Sequence, residues 1–235
     1  MRSNELKNSE LPALLFDFDG VLADTEPLHF QCWRDLLLTK GIQLDWDYYQ
    51  TKCIGISDRQ MLSTLGKIGP IVYSIDELMP LYPLKKQAFR DLVTQNRVIS
   101  QAVRDALTAC GNYQIAVVTS SGQTEIEPIL QREGILPLLG AVVYGNEVKA
   151  LKPDPEPYRT AMERLGASSG IAFEDSAAGI ASARAAGCQV VEVTHPADLP
   201  RLIDEAVAAT TKSAAVLTDR AAPTRVTVRA GGAQD

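Results

Sequence analysis

ALLFDFDGVLADTEP, residues Ala13 to Pro27, decides how the rest of the chain is read. Ala13–Phe16 is an apolar run of strand length, and it breaks into Asp17-Phe18-Asp19-Gly20, two acids and a glycine at the strand's carboxyl end. Glu26-Pro27 then opens a helix, with proline in the first turn where its missing N–H costs nothing. Four further runs of strand character come later: Tyr113–Val118, Gly140–Tyr144, Gly170–Phe173 and Gln189–Val193. Between them, helix-periodic segments Ser121–Arg132, Pro157–Leu165 and Ser176–Ala186 end at Gly134, Gly166 and Gly187, the expected stop signal. Strand, helix, strand in this rhythm predicts right-handed crossovers. The fold expected is α/β, a Rossmann-like parallel sheet with helices on both faces.

The rhythm fails after the first strand, where a long stretch reads as helix. The helix from Glu26 carries Leu28, Trp33, Leu36 and Leu37 inward and stops at Gly41. Ser57-x-x-Gln60 and Ser74-x-x-Glu77 are capping-box patterns, each opening a further helix. Pro80 and Pro83 should kink or split the second. An all-α cap over residues 25–96 is therefore expected, inserted in a core made of 11–24 and 97–210. Residues 211–235, rich in Ala and Thr, read as a loosely ordered tail.

Composition bounds the function. Twenty-three Lys and Arg stand against 29 Asp and Glu, a net charge of −6, which argues against a nucleic-acid partner. The longest mostly apolar stretch, Gly134–Gly145, is interrupted by Pro137 and Gly140 and is well short of the ~18 residues of a membrane span. MRSNELKNSELP has no apolar signal core, so no secretory leader and a cytoplasmic location are expected. Cys32, Cys53, Cys110 and Cys188 are scattered and read as buried free thiols.

Open parallel sheets bind ligands outside the carboxyl ends of their strands. Those ends carry Asp17 and Asp19, then Thr119-Ser120-Ser121-Gly122, then Lys152 in the loop after the third strand, then Glu174-Asp175. Each has a plain structural reading: turn former, helix cap, solvated lysine, acids at a helix N-terminus. Together they suit phosphoryl transfer. Asp17, Asp175 and Glu174 form a hard-oxygen set for Mg²⁺, whose charge would let a phosphate dock beside carboxylates. Thr119 and Lys152 would hold the phosphoryl oxygens, and one carboxylate of the Asp17/Asp19 pair would serve as nucleophile with the other as acid. Spacing leaves open which is which.

At this point the chain resembles the haloacid dehalogenase-like superfamily of phosphohydrolases, in its β-phosphoglucomutase-like and sugar-phosphate phosphatase branch. FDFDGVLADTEPLHFQCW (Phe16–Trp33) is similar to the first motif, VVTSS the second, LKPDPEPY (Leu151–Tyr158) the third and FEDSAAGIASARAAG (Phe173–Gly187) the fourth. The resemblance implies that Asp17 is nucleophile and metal ligand, and that Asp19 is general acid/base and lends its backbone carbonyl to Mg²⁺. It implies that Thr119 and Lys152 hold the phosphoryl group with the Ser120 backbone, and that Asp175 and Glu174 bind the metal. In the cap, His29, Trp33, Arg59 and Lys86 fall near substrate-contacting positions, and Trp33, on an amphipathic helix, reads more readily as core. The chain departs from the pattern at three places: Asn96–Ser100 (NRVIS) stands where a Pro-Gly is usual, Leu151 replaces a glycine, and Glu156 replaces an Asp, at an expected small capping cost.

The reading that follows is a Mg²⁺-dependent phosphatase for a small phosphorylated metabolite, acting as a monomer or weak homodimer. The alternatives are a phosphosugar mutase using the same aspartyl phosphate and a catalytically silent regulatory module.

Overall fold

A computed structural model describes residues 11–54, 56–68 and 71–220, with the side chains of 212–220 left aside. Five strands, β1 (Ala13–Phe16), β2 (Ile115–Val118), β3 (Ala141–Val143), β4 (Gly170–Glu174) and β5 (Gln189–Glu192), form one sheet in the order β3-β2-β1-β4-β5. Every pairing is parallel. The short apolar runs expected from sequence are these strands: β1 as expected, β4 longer by Glu174, and the other three shorter by one or two residues.

Alternation along the strands sorts the core into two layers. Leu14, Phe16, Ile115, Val117, Ile171 and Phe173 face one side. There they pack on α6 (Gln101–Ala109), α7 (Gln123–Arg132) and α10 (Leu199–Arg220) through Val103, Leu107, Ile129, Leu199 and Ile203. Ala13, Leu15, Ala116, Val118 and Ala172 face α8 (Glu156–Leu165) and α9 (Ala177–Ala185) on the other side. Small residues dominate that second face, so Tyr158 and Ala161 of α8 can sit close against the sheet.

Between β1 and α6 lie α1 (Glu26–Leu38), α2 (Trp46–Lys52), α3 (Asp58–Leu65), α4 (Ile75–Leu78) and α5 (Leu81–Gln95). They have their own core of Trp33, Leu37, Met61, Leu62, Leu65, Leu78 and Leu81. Both capping boxes form, at Ser57/Gln60 and Ser74/Glu77. The helix splits between α4 and α5 at Met79-Pro80, while Pro83 is accommodated in the first turn of α5. All four cysteines are free and buried.

Two expectations need correction. The loose tail expected from residue 211 is helical as far as Arg220, continuing α10, and residues 221–235 lie outside the described residues. An Ala-rich stretch supports helix by intrinsic propensity without needing an apolar stripe, and Tyr113 ties the helix down through a 2.8 Å bond to Thr210. The capping cost expected at Glu156 is also absent. Asp154 Oδ1 accepts the Glu156 N–H (2.9 Å), while the longer Glu156 side chain reaches back to accept the N–H groups of Lys149 (3.0 Å) and Ala150 (2.9 Å).

Candidate active site

Asp17 leaves β1 at the centre of the sheet, its N–H donating to the Phe173 carbonyl at 3.0 Å. Glu174 is the last residue of β4 and Asp175 follows it. Thr119 follows β2, its N–H bonded to Val143 O at 3.0 Å. Four adjacent parallel strands thus end at one edge, and the polar residues after them meet there because the register brings the strand ends level.

Lys152 knits the acids together. Its ammonium donates to Asp17 Oδ1 (2.7 Å), Glu174 Oε1 (2.5 Å) and the Val118 carbonyl (2.9 Å). The loop that carries Lys152 is held by the Glu156 carboxylate already described, and Ser182 Oγ donates to Asp154 O. Glu174 is fully buried and also accepts from the Tyr158 hydroxyl (2.6 Å) and Ser176 Oγ (3.2 Å). Glycine is required on both flanks. A Cβ at Gly179 would lie 2.0 Å from the Glu174 carboxylate, and one at Gly20, where φ is +74°, would lie 2.1 Å from Asp175 Oδ2.

The acids outnumber their cation, and the electrostatics show it. Burial pushes Asp17 up to about 8 against the pull of Lys152. Partial burial, then Glu174, pushes Asp175 up to about 6. Burial opposes the charged Lys152, but Asp17 and Glu174 together outweigh it and raise its pKa. Asp17, Glu174 and Asp175 each offer a carboxylate oxygen within 4.8 Å of the others. An all-oxygen, charge-deficient set of this kind fits a small divalent cation, with Asp175 on the solvent side.

Asp19 stands apart from that set. Its carboxyl accepts from Thr25 Oγ1 (2.8 Å) and Ser121 Oγ (3.4 Å), and burial raises its pKa despite those bonds. It lines a cavity of about 330 Å³ between the sheet edge and α1/α5, together with Ser120, His29 and Lys86. A second cavity of about 760 Å³ shares Ser120 and His29 and reaches Arg59. Thr119 is buried, and its Oγ1 accepts the Ser121 N–H at 3.1 Å. His29 stacks on Phe89 with centroids 4.0 Å apart, and its Nδ1 is buried without a hydrogen-bond partner. Lys86, named from sequence, lies at the first cavity but bonds Glu125 at 3.3 Å. Trp33 is core, its indole N–H donating to Asp58 at 2.8 Å.

Sequence reading missed Lys85, the buried neighbour of Lys86. Its ammonium lies 3.6 Å from Asp58 Oδ2 and about 5.8 Å from the Trp33 and 5.7 Å from the Phe89 ring centroids, lining both cavities. The signal was present: Leu81, Lys85, Phe89 and Val93 form a four-residue stripe along α5, and a lysine on an apolar stripe is buried for a reason. Thr25 and Tyr158 had no such signal.

Residues 14–193 match the family described as haloacid dehalogenase-like hydrolase. The phosphorylated carbohydrates phosphatase of Thermotoga maritima is 31% identical over 189 residues, covering 79% of this chain and 86% of that protein. The β-phosphoglucomutase of Bacillus subtilis is 28% identical over 189 residues, covering 78% and 83%. Among solved structures, a HAD family hydrolase from Deinococcus radiodurans with bound phosphate and sodium is 25% identical, covers 88% of this chain and 97% of that one, and superposes with a TM-score of 0.67.

Proposed function

The chain belongs to the haloacid dehalogenase-like hydrolases, and from that premise we propose that this phosphatase hydrolyses a small phosphorylated sugar through an aspartyl-phosphate intermediate, with Mg²⁺ as its metal. The observation that carries the reading is the division of labour between the two aspartates. Asp17 sits among acids with Lys152 on one oxygen, while Asp19 turns to the cavity on the cap side.

Asp17 attacks phosphorus, and the bond from phosphorus to the leaving oxygen breaks as Asp19 delivers a proton to that oxygen. Lys152 and the Thr119 hydroxyl hold the phosphoryl oxygens, with the Ser120 backbone beside them. Asp19, now a base, takes a proton from water as it attacks the aspartyl phosphate, which releases inorganic phosphate and restores Asp17. Asp17, Asp175 and Glu174, with the Asp19 carbonyl, would hold Mg²⁺, which when bound would supply the positive charge that lets a phosphate enter an acidic site. The four buried thiols support a cytoplasmic setting.

A mutase would also have to grip a second phosphate. Lys85 is engaged by Asp58 and Lys86 by Glu125, while Arg59 and Arg90 line the cavities without an ion pair among the described residues, so the cap cations serve either reading. The test is phosphate release from a panel of sugar phosphates in Mg²⁺ buffer. Release that stops with EDTA and returns with Mg²⁺ is expected. Activity that survives chelation removes the metal, and strict dependence on a sugar bisphosphate activator overturns hydrolysis in favour of the mutase.

A further inference from the structure

The larger cavity adjoins the one that Asp19 lines, sharing Ser120, His29, Tyr82 and Lys85 with it, so it offers room for the leaving group of a phosphomonoester. Some of its polar groups are matched to one another, while Arg59 and Ser120 also line it. Lys85 pairs with Asp58, and Glu26 accepts the Tyr49 hydroxyl at 2.8 Å. Its apolar groups are unmatched. Ile54 and Ile56, just before α3, are 43% and 41% exposed, and Leu151 on the core side is 49% exposed. All three line the same cavity, with Met79 and Tyr82 beside them. Leu151 immediately precedes Lys152, so it cannot move away from the phosphoryl site, and two elements distant in sequence bring aliphatic side chains to one mouth.

We infer that Ile54, Ile56 and Leu151 are specificity-determining residues, and that the preferred leaving group is an alcohol bearing an apolar portion some distance from the phosphate, rather than an unsubstituted sugar. The inference rests on the phosphatase reading. A volume of about 760 Å³ lies in the upper part of the range for drug-sized ligands, so a substituted leaving group fits. Apolar surface withdrawn from water against three aliphatic side chains supplies affinity that needs no directional bond.

The experiment compares kcat/KM for a hexose 6-phosphate and for its n-butyl glycoside 6-phosphate, which keeps the same leaving hydroxyl. A rise of about tenfold is expected for the butyl glycoside, the equivalent of burying roughly half of its four carbons. In the double variant Ile56→Ser/Leu151→Gly that ratio falls towards one, read chiefly in KM. Equal kcat/KM for the two substrates in the wild-type protein overturns the inference and leaves the phosphatase reading standing. So does a double variant that lowers kcat equally for both, which would make these side chains a latch for cap closure. No phosphate release from either substrate, in protein shown to be folded and supplied with Mg²⁺, overturns the phosphatase reading itself.

Discussion

Glu133 and Glu174 are both fully buried, yet one is surrounded by guanidinium groups and the other by acids. Glu133, at the end of α7, pairs with Arg104 (2.9 Å) and Arg132 (3.0 Å) and accepts the Val98 N–H (3.2 Å). Those arginines also donate to main-chain carbonyls, Arg132 to Val93 and Asn96 and Arg104 to Ile99, and Arg104 donates further to Gln101 Oε1. The cluster therefore grips residues 93–99, where the last cap helix returns to the core, and it does so without the Pro-Gly usual there. Glu174 instead shares a single lysine with Asp17 and keeps Asp175 beside it. A buried acid with surplus cations holds structure together. A buried acid short of cations is a site waiting for charge to arrive.

The contrast can be broken by substitution. Asp17→Asn should lower kcat/KM by on the order of 10⁴-fold or more, without lowering the thermal midpoint, since it relieves crowding among acids. A midpoint several degrees lower would show that the site acids stabilise the fold. Glu133→Ala should do the opposite, costing about 1–3 kcal/mol in denaturant titrations because it strands the Val98 N–H and the largely buried Arg104 guanidinium. A loss under about 1 kcal/mol would end the comparison. Its counterpart Glu174→Gln should weaken Mg²⁺ binding by about 10–100-fold in calorimetry, with metal-free stability changed by less than about 1 kcal/mol.

The smallest effect concerns His29, whose pKa burial and then Lys85 lower to about 3. The unfolded chain binds a proton there below about pH 6.5 that the folded chain refuses, so stability falls as pH drops through that window. Between pH 7 and 5.5 the loss should be about 1 kcal/mol. His29→Gln should flatten that part of the stability curve by the same amount, and parallel curves for the two proteins would refute the assignment.

What could be read in advance follows from the length scale of each signal. The strands and their terminal Asp17, Thr119 and Glu174 were legible because a buried parallel strand is a short apolar run and its end is a fixed place. Lys152 required its loop to fold back across two strands, which only the joint motif pattern suggested. Lys85 was passed over for Lys86 because adjacent residues on a helix face directions about 100° apart, and only the stripe through Leu81, Phe89 and Val93 tells them apart. Glu133 gave no signal, since its partners lie at positions 97, 98, 104 and 132 and are assembled by the tertiary fold. The helix through Arg220 ends in Ala- and Thr-rich sequence with little periodicity, so only intrinsic propensity announces it.

Lys85 packs between Trp33 and Phe89 and pairs with Asp58, so it belongs at once to the cap's interior and to the wall of the cleft. Any change there must be absorbed by four side chains together, which makes it a slow position for evolution and a poor one for engineering. Ile54, Ile56 and Leu151 carry no such obligations, because water already covers nearly half of each. A single codon change at one of them costs the fold almost nothing and alters what the cleft prefers. New substrate ranges should therefore accumulate at this rim first, while the charged floor beneath it stays the same.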